Sequence, residues 1–120
     1  MTNTQAFLDA IRESVKDYVI AEGTHLAVGT GTTAATSADT QLETEVLRMA
    51  RQEHTEVTNS VVLSLLVGST DANGSALTEV GVLDAAVAGN LMMRITFPTI
   101  TKTADIDVWI DVEEMVDVTQ

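Results

Sequence analysis

The segment AVGTGTTAATSADT, residues 27–40, contains a glycine pattern that could hold a phosphate group. The pattern G-x-G-x-x-A, from Gly29 to Ala34, follows a short apolar run, as in the turn between a strand and a helix that binds dinucleotides. Such a site needs a helix directly after the turn, because the helix N-terminus holds the phosphate. Residues 35–39 are typical of a loop instead, and no lysine follows the glycines. The pattern therefore predicts a structural corner at which glycine permits positive φ.

The chain contains few residues from which another kind of catalytic site could be built. His25 and His54 are the only imidazoles, they lack the spacing of a ligand pair, and the chain has no cysteine. Serine and threonine are abundant, but no G-x-S-x-G elbow is present. We therefore expect no enzymatic activity, no catalytic residues and no cofactor, with both histidines serving as ordinary strand residues.

A row of carboxylates near the C-terminus raises the possibility of a cation site. Calcium prefers several oxygen ligands, and this row supplies five. Its members are Asp105, Asp107, Asp111, Glu113 and Glu114. Alternate strand residues lie too far apart for one short strand to coordinate an ion tightly. A solvated face without metal is the prediction, and a cation site is the alternative.

Trp109 is the unusual residue of the same stretch. In DIDVWIDV, residues 105–112, the aliphatic side chains alternate with three carboxylates and the indole, so period two places Trp109 on the acidic face. An exposed indole among carboxylates is typical of an interface anchor. The alternative is that the N-terminal helix covers it.

The elements that must position these residues begin with a predicted helix over residues 3–19, with Thr2, Asn3 or Thr4 as its cap and Gly23 just past its end. Apolar residues recur on it at steps of three and four. They are Phe7, Leu8, Ile11, Val15, Tyr18 and Val19. We expect this stripe to pack on the protein's own sheet or on a neighbouring subunit. As interface residues we propose Phe7, Ile11, Val15, Tyr18 and Trp109.

After Gly23 the pattern changes to strands separated by short turns. The predicted strands are 25–28, 45–58, 60–67, 77–83, 91–97 and 105–112. Asn73-Gly74 is a hairpin signal, and Pro98 closes the fifth strand. The fold class is therefore mainly β, an antiparallel β-sandwich or barrel preceded by one amphipathic helix. We divide the single compact domain into the helix, residues 1–22, and the β-sandwich, residues 23–120.

Composition limits the choice of partners. The 120-residue chain has 18 acidic and 6 basic side chains and a net charge of −12. Nucleic acids and anionic membranes would be repelled. An acidic, lysine-poor chain is typical of salt-loving organisms, although an ordinary acidic surface is the alternative. The N-terminus lacks the features of a signal peptide, so we expect synthesis in the cytoplasm.

Four segments follow one another along the chain after the helix. They are VGTGTT (Val28–Thr33), LxxEV (Leu42–Val46), an xExGLF-like strand (Thr78–Leu83) and LxxRxxFPxxxK (Leu91–Lys102). In this order they resemble a widespread family of small structural proteins of tailed-phage virions. The chain departs from the family pattern at Leu83, where phenylalanine is common, and in the loop that follows.

This resemblance implies a non-enzymatic part of a virion that forms a homo-oligomer and binds other virion proteins. A subunit at the tail, collar or baseplate is the favoured role, and capsid decoration is the alternative. A soluble ligand- or cation-binding β-domain is the rival from another class. The acidic composition would suit a virus of salt-loving archaea.

Overall fold

The computed structural model describes residues 2–116, in which one helix precedes seven strands. The elements are α1 (Gln5–Glu22), β1 (His25–Gly29), β2 (Glu45–Ala50), β3 (Glu53–Val57), β4 (Ser60–Val67), β5 (Ala76–Leu83), β6 (Leu91–Thr101) and β7 (Val108–Met115). The chain is mainly β with one N-terminal helix, as the sequence predicted. No helix among residues 2–116 combines the length and hydropathy required to cross a membrane.

The strands form two antiparallel sheets rather than a closed barrel. Sheet A has the order β2-β1-β5-β6, and sheet B has the order β3-β4-β7. Aliphatic side chains from both sheets pack between them, with Leu26, Leu63 and Val82 completely buried. The predicted sandwich is confirmed, and its core is almost entirely aliphatic.

Helix α1 is fixed at both ends. The Thr4 hydroxyl accepts a hydrogen bond from the Phe7 amide, and the Gly23 amide donates to the Val19 carbonyl. The Arg51 guanidinium donates to the carbonyls of Ile20 and Gly23 at 2.7 and 3.0 Å, which satisfies acceptors at the helix C-terminus. The helix thereby leads directly into β1.

The segment 45–58 is two strands, not the single strand that its alternation predicted. β2 pairs with β1 in sheet A, whereas β3 pairs with β4 in sheet B. The chain crosses between the sheets at Arg51 and Gln52, whose amides donate to the Thr24 and Ser64 carbonyls. The polar alternation continues through the crossing, and therefore the sequence does not reveal it.

Two turn and strand-end predictions were also wrong. Asn73-Gly74 lies between β4 and β5, which belong to different sheets, so it makes a connection between sheets and not a hairpin. Pro98 lies inside β6 instead of ending it. An edge strand tolerates proline, and the β5–β6 register shifts opposite this position, between Leu77 and Glu79.

Candidate functional site

The turn that contains Gly29 and Gly31, which we call the glycine corner, is occupied by a carboxylate of the protein itself. Glu79, completely buried, points into it, and its Oε2 accepts hydrogen bonds from the amides of Gly31 at 2.7 Å and Thr44 at 2.8 Å. Its Oε1 accepts a third from the Glu43 amide at 2.9 Å. The backbone donors that a phosphate would use are therefore already bonded to an internal anion.

The glycines are needed here for close approach and not for unusual backbone angles. Among the described residues, the glycines with positive φ are Gly74 and Gly89, so the positive φ expected at this corner was wrong. A Cβ on Gly29 would lie 2.3 Å from the Thr44 carbonyl oxygen. A Cβ on Gly31 would lie 2.5 Å from the Glu79 carboxylate. Any side chain at either position would displace the carboxylate or the loop.

Arg94 completes the arrangement from the neighbouring strand. Its Nε donates to Glu79 at 2.9 Å, its Nη1 to Asp39 at 3.0 Å, and its Nη2 to the Thr33 carbonyl at 2.8 Å. The Arg94 side chain is only 3% exposed. The side chains of Glu79, Arg94 and Asp39 thus hold the loop of residues 30–44 in place. We refer to these three side chains together with that loop as the loop anchor.

Electrostatics stabilise the charged forms of these groups. Burial alone would raise the pKa of Glu79, but the hydrogen bonds from Arg94 and from the amides of Thr44, Glu43 and Gly31 outweigh it and lower the pKa. The amide of Thr36 and then Arg94 lower the pKa of Asp39. The bond to Glu79 raises the pKa of Arg94. The loop anchor is thus a fully ionised and hydrogen-bonded network.

The same loop covers the outer face of sheet A with apolar contacts. Leu42 is buried against Ala27 and Leu83 in a small second core, and it lies over Gly81, where a Cβ would be 2.7 Å from its side chain. The Thr78 hydroxyl donates to the Gly31 carbonyl at 2.6 Å. Residues 40–43 contain no helical turn. The loop lies across the sheet as extended and bent backbone.

All six basic side chains are buried or half-buried. Arg48 donates to the carbonyls of Ala85 and Ala88 in the β5–β6 loop, and the fully buried Lys102 donates to Asn73 and the Thr103 carbonyl. Arg12 and Lys16 form ion pairs on the helix while their side chains lie largely out of solvent. The cations therefore hold the fold together, and the charge that faces solvent comes mainly from carboxylates.

Within residues 2–116, neither histidine belongs to a group of potential metal ligands. His25 is half-buried in β1, with its Nδ1 2.8 Å from the Thr24 hydroxyl, and His54 is exposed on β3. Among residues 2–116, the one group of three potential ligands that could meet at a metal ion is Glu13, Asp17 and Glu56, all exposed. The predicted C-terminal carboxylate row forms no such group within those residues. Sequence reasoning missed this trio because Glu56 comes from β3.

The apolar stripe of α1 divides into two faces. Leu8 and Val19 are buried, Val19 within the core of the sandwich, whereas Phe7, Val15 and Tyr18 are exposed and Ile11 is half-buried. Tyr18 is 64% exposed although its neighbour Val19 is 5% exposed. Four of the predicted interface residues therefore share one helix face, on which three side chains are exposed and Ile11 is partly covered. We call Phe7, Ile11, Val15 and Tyr18 the helix face.

Trp109, the fifth predicted interface residue, lies elsewhere. It is 47% exposed on β7, opposite Leu66, and it lines a groove of about 540 Å³ between β6 and β7. The groove is also lined by Ile95, Phe97, Ile100 and Ile110. We call it the β6–β7 groove. The helix packs mainly on β4, so the helix face and the groove are separate surfaces.

The residues that carry the family resemblance converge on the loop anchor. Gly29 and Gly31 come from the first segment, Glu79 from the third and Arg94 from the fourth, whereas Glu43 is a variable position of the second segment and contributes its backbone amide. Lys102, at the end of the fourth segment, fixes the turn that precedes β5. The residues that converge on the loop anchor therefore share one structural task, which is to hold the loop against sheet A. Comparison of the chain with models of known protein families and with curated proteins finds no match.

Proposed function

We propose that this protein is a structural subunit of a tailed-virus particle, located at the tail, collar or baseplate, and that it assembles as a homo-oligomer. The observation that carries the proposal is the helix face, a set of large apolar side chains on one side of the helix in a strongly acidic chain. Exposed apolar surface of this kind, rimmed by polar residues, is typical of protein interfaces.

The fold directs these side chains outward at a defined place. Val19, buried in the core, holds the helix against the sandwich, and Arg51 holds its C-terminus, so the helix face is presented rigidly. Rigid presentation lowers the entropy cost of association. Symmetric copies would use the same contact several times, which multiplies its effect.

The family resemblance supports the virion role independently of the helix. The four segments appear in order, and their charged and glycine residues form a network that anchors a loop rather than a reaction centre. Capsid decoration would also require contacts between copies or with other virion proteins, so it is the alternative location on the particle.

A cation-binding β-domain is the second candidate, and one cluster favours it. Carboxylate oxygens of Glu13, Asp17 and Glu56 lie within 4.8 Å of one another on the surface. Calcium accepts such ligands. Calorimetry with CaCl₂ tests this candidate: saturable binding that Glu56→Gln abolishes and Glu113→Gln leaves intact would favour it over assembly.

Assembly is tested by light scattering at high salt, where the repulsion between acidic copies is screened. We expect the wild type to be larger than the 12.8 kDa monomer. Tyr18→Asp should give a folded monomer, since its side chain lies outside. Val19→Asp, one residue away, should unfold the helix from the sandwich because it buries an unpaired charge. A wild type that stays monomeric at every concentration contradicts the proposal.

The virion role is tested on purified particles. Mass spectrometry of particles separated from host proteins by density should find this polypeptide in a fixed ratio to the major capsid protein. Its absence from intact particles would overturn that role while leaving self-assembly to the scattering measurement.

A further inference from the structure

Within residues 2–116, sheet B is one strand narrower than sheet A. Sheet A has four strands and sheet B has three, and β6 and β7 are the edge strands that border the groove. Ile95 and Ile100 lie opposite Val80 and Leu77 of β5, whose side chains belong to the core. Cross-strand partners share a face, so both isoleucines lie on the inner face of sheet A.

These inner-face residues are nevertheless open to solvent. Ile95 is 43% and Ile100 is 37% exposed, whereas their partners Val80 and Leu77 are buried. Inner faces of a sandwich are normally covered by the opposite sheet. Here sheet B ends at β7, and the groove of about 540 Å³ lies where a further strand beside β7 would be.

The backbone at this place is also unpaired. β7 pairs with β4 alone among the described strands, which leaves one side of its eight residues without a strand partner. Free strand edges next to an apolar surface are the feature that β-strand addition uses, with main-chain hydrogen bonds for affinity and alternate side chains for specificity.

Charge decides which kind of strand fits. Asp111 and Glu113, two and four residues after Trp109, are exposed on the outer face of β7, and Asp107 precedes the strand. Antiparallel pairing of β7 with β7 of a second copy would bring carboxylates opposite or diagonal to each other, which is unfavourable. A strand with basic side chains would neutralise them.

We propose that the β6–β7 groove receives an extended segment of a partner polypeptide in which apolar and basic residues alternate. The segment pairs with the free edge of β7. Its apolar side chains cover Ile95 and Ile100, and its lysines or arginines lie beside Asp111 and Glu113. The inference specifies the kind of partner that the protein binds in the particle, and to that extent it rests on the proposed function.

Trp109 provides the readout, because it is the single tryptophan of the chain and lines the groove. The probe is an acetylated and amidated peptide of four Lys-Val repeats, titrated into the full chain at low salt. We expect a saturable blue shift of Trp109 emission with a midpoint below about 1 mM, weakening as salt is added. Hydrogen exchange of β7 amides should slow in the same complex.

Peptide controls separate the contributions of charge and backbone. A Glu-Val peptide should bind at least tenfold more weakly because the rim of the groove is acidic. The Lys-Val peptide with every backbone nitrogen methylated should not bind, since it lacks the donors that strand pairing requires. Equal binding of either control peptide would overturn the proposal.

Protein variants locate the site. Ile95→Thr, which keeps a β-branched side chain, should weaken Lys-Val binding at least tenfold, and Val87→Thr, at an exposed valine outside the groove, should leave it within twofold. Glu113→Gln should weaken binding and reduce its salt dependence, whereas Glu22→Gln at the end of the helix should change neither.

Two outcomes would contradict the strand site. One is the absence of any shift or exchange protection with the Lys-Val peptide. The other is loss of self-association in Ile95→Thr, which would assign the groove to a second copy. If the protein forms oligomers and occurs in particles but does not bind the Lys-Val peptide, only the strand site is refuted. A monomer that binds the peptide and is missing from particles refutes the assembly role alone.

Discussion

The two faces of β6 reverse the usual placement of charged and apolar side chains. Arg94 is 3% exposed on the outer face, and Ile95, the next residue, is 43% exposed on the inner face. The loop of residues 30–44 covers Arg94 and provides it with carboxylate and carbonyl partners. Nothing within residues 2–116 covers Ile95 to the same extent.

The difference shows what completes each face. The loop anchor satisfies the hydrogen-bonding groups that it buries with partners from the same chain, so the outer face of sheet A is finished by folding. The β6–β7 groove has apolar side chains and a free strand edge that folding leaves without a covering layer. We therefore expect substitutions in the loop anchor to change stability and substitutions in the groove to change binding.

The largest effect is expected where a charge is removed from the loop anchor. Arg94→Met would leave the Glu79 carboxylate buried without its cation, which costs about 3–5 kcal/mol in free energy of unfolding. Ile95→Lys, at the next residue, should change it by less than about 1 kcal/mol because Ile95 is nearly half exposed. Denaturant unfolding of both variants measures the contrast, and equal losses would break the comparison.

A smaller loss is expected when the glycine corner is filled. Gly31→Ala would place a Cβ 2.5 Å from the Glu79 carboxylate and force the loop to shift, at a cost of about 1–3 kcal/mol. Gly68→Ala is the matched control, because its Cβ would meet only Asp71, at 3.4 Å, and its φ is not positive. Thermal unfolding should separate the two variants. If both are neutral, the corner does not require close packing.

The sequence predicted the elements better than their arrangement. The apolar run 60–67 matches β4 residue for residue, and the helix was found within a few residues, because periodicity is a local property. The assignment of strands to sheets is not local. The crossing at Arg51 and Gln52 and the path of β4 into β5 depend on which hydrogen-bond partners are nearest in space.

The loop anchor had a signal in the sequence that the glycine pattern obscured. Glu79 and Arg94 are each the one charged residue in an otherwise uncharged strand, on two strands predicted to form a hairpin. In the observed register Arg94 lies diagonally across from Glu79, opposite Gly81. Opposite charges in such a place indicate a buried pair. That Glu79 would enter the glycine corner could not be predicted, since it depends on the path of the loop.

The smallest expected effect is the pH dependence of the loop anchor. The pKa of Glu79 is lower in the folded chain than its ordinary value of 4.5, so its ionisation stabilises the fold above that value, and this contribution is lost as the pH falls through the lowered pKa. Asp39 acts in the same direction.

The measurement needs high salt, because protonation of the many surface carboxylates otherwise relieves their mutual repulsion and opposes the loss of stability. At high salt, the free energy of unfolding should fall more steeply with decreasing pH in the wild type than in Glu79→Gln. The relevant range is from about pH 5 to about pH 3, because ordinary carboxyl pKa values lie at about 4. Glu113→Gln, beside the groove, should follow the wild type. If the free energy of unfolding depends on pH in the same way in Glu79→Gln and in the wild type, the loss of stability in acid does not arise from the loop anchor. The two faces of β6 would then not differ in the contribution of charge to stability.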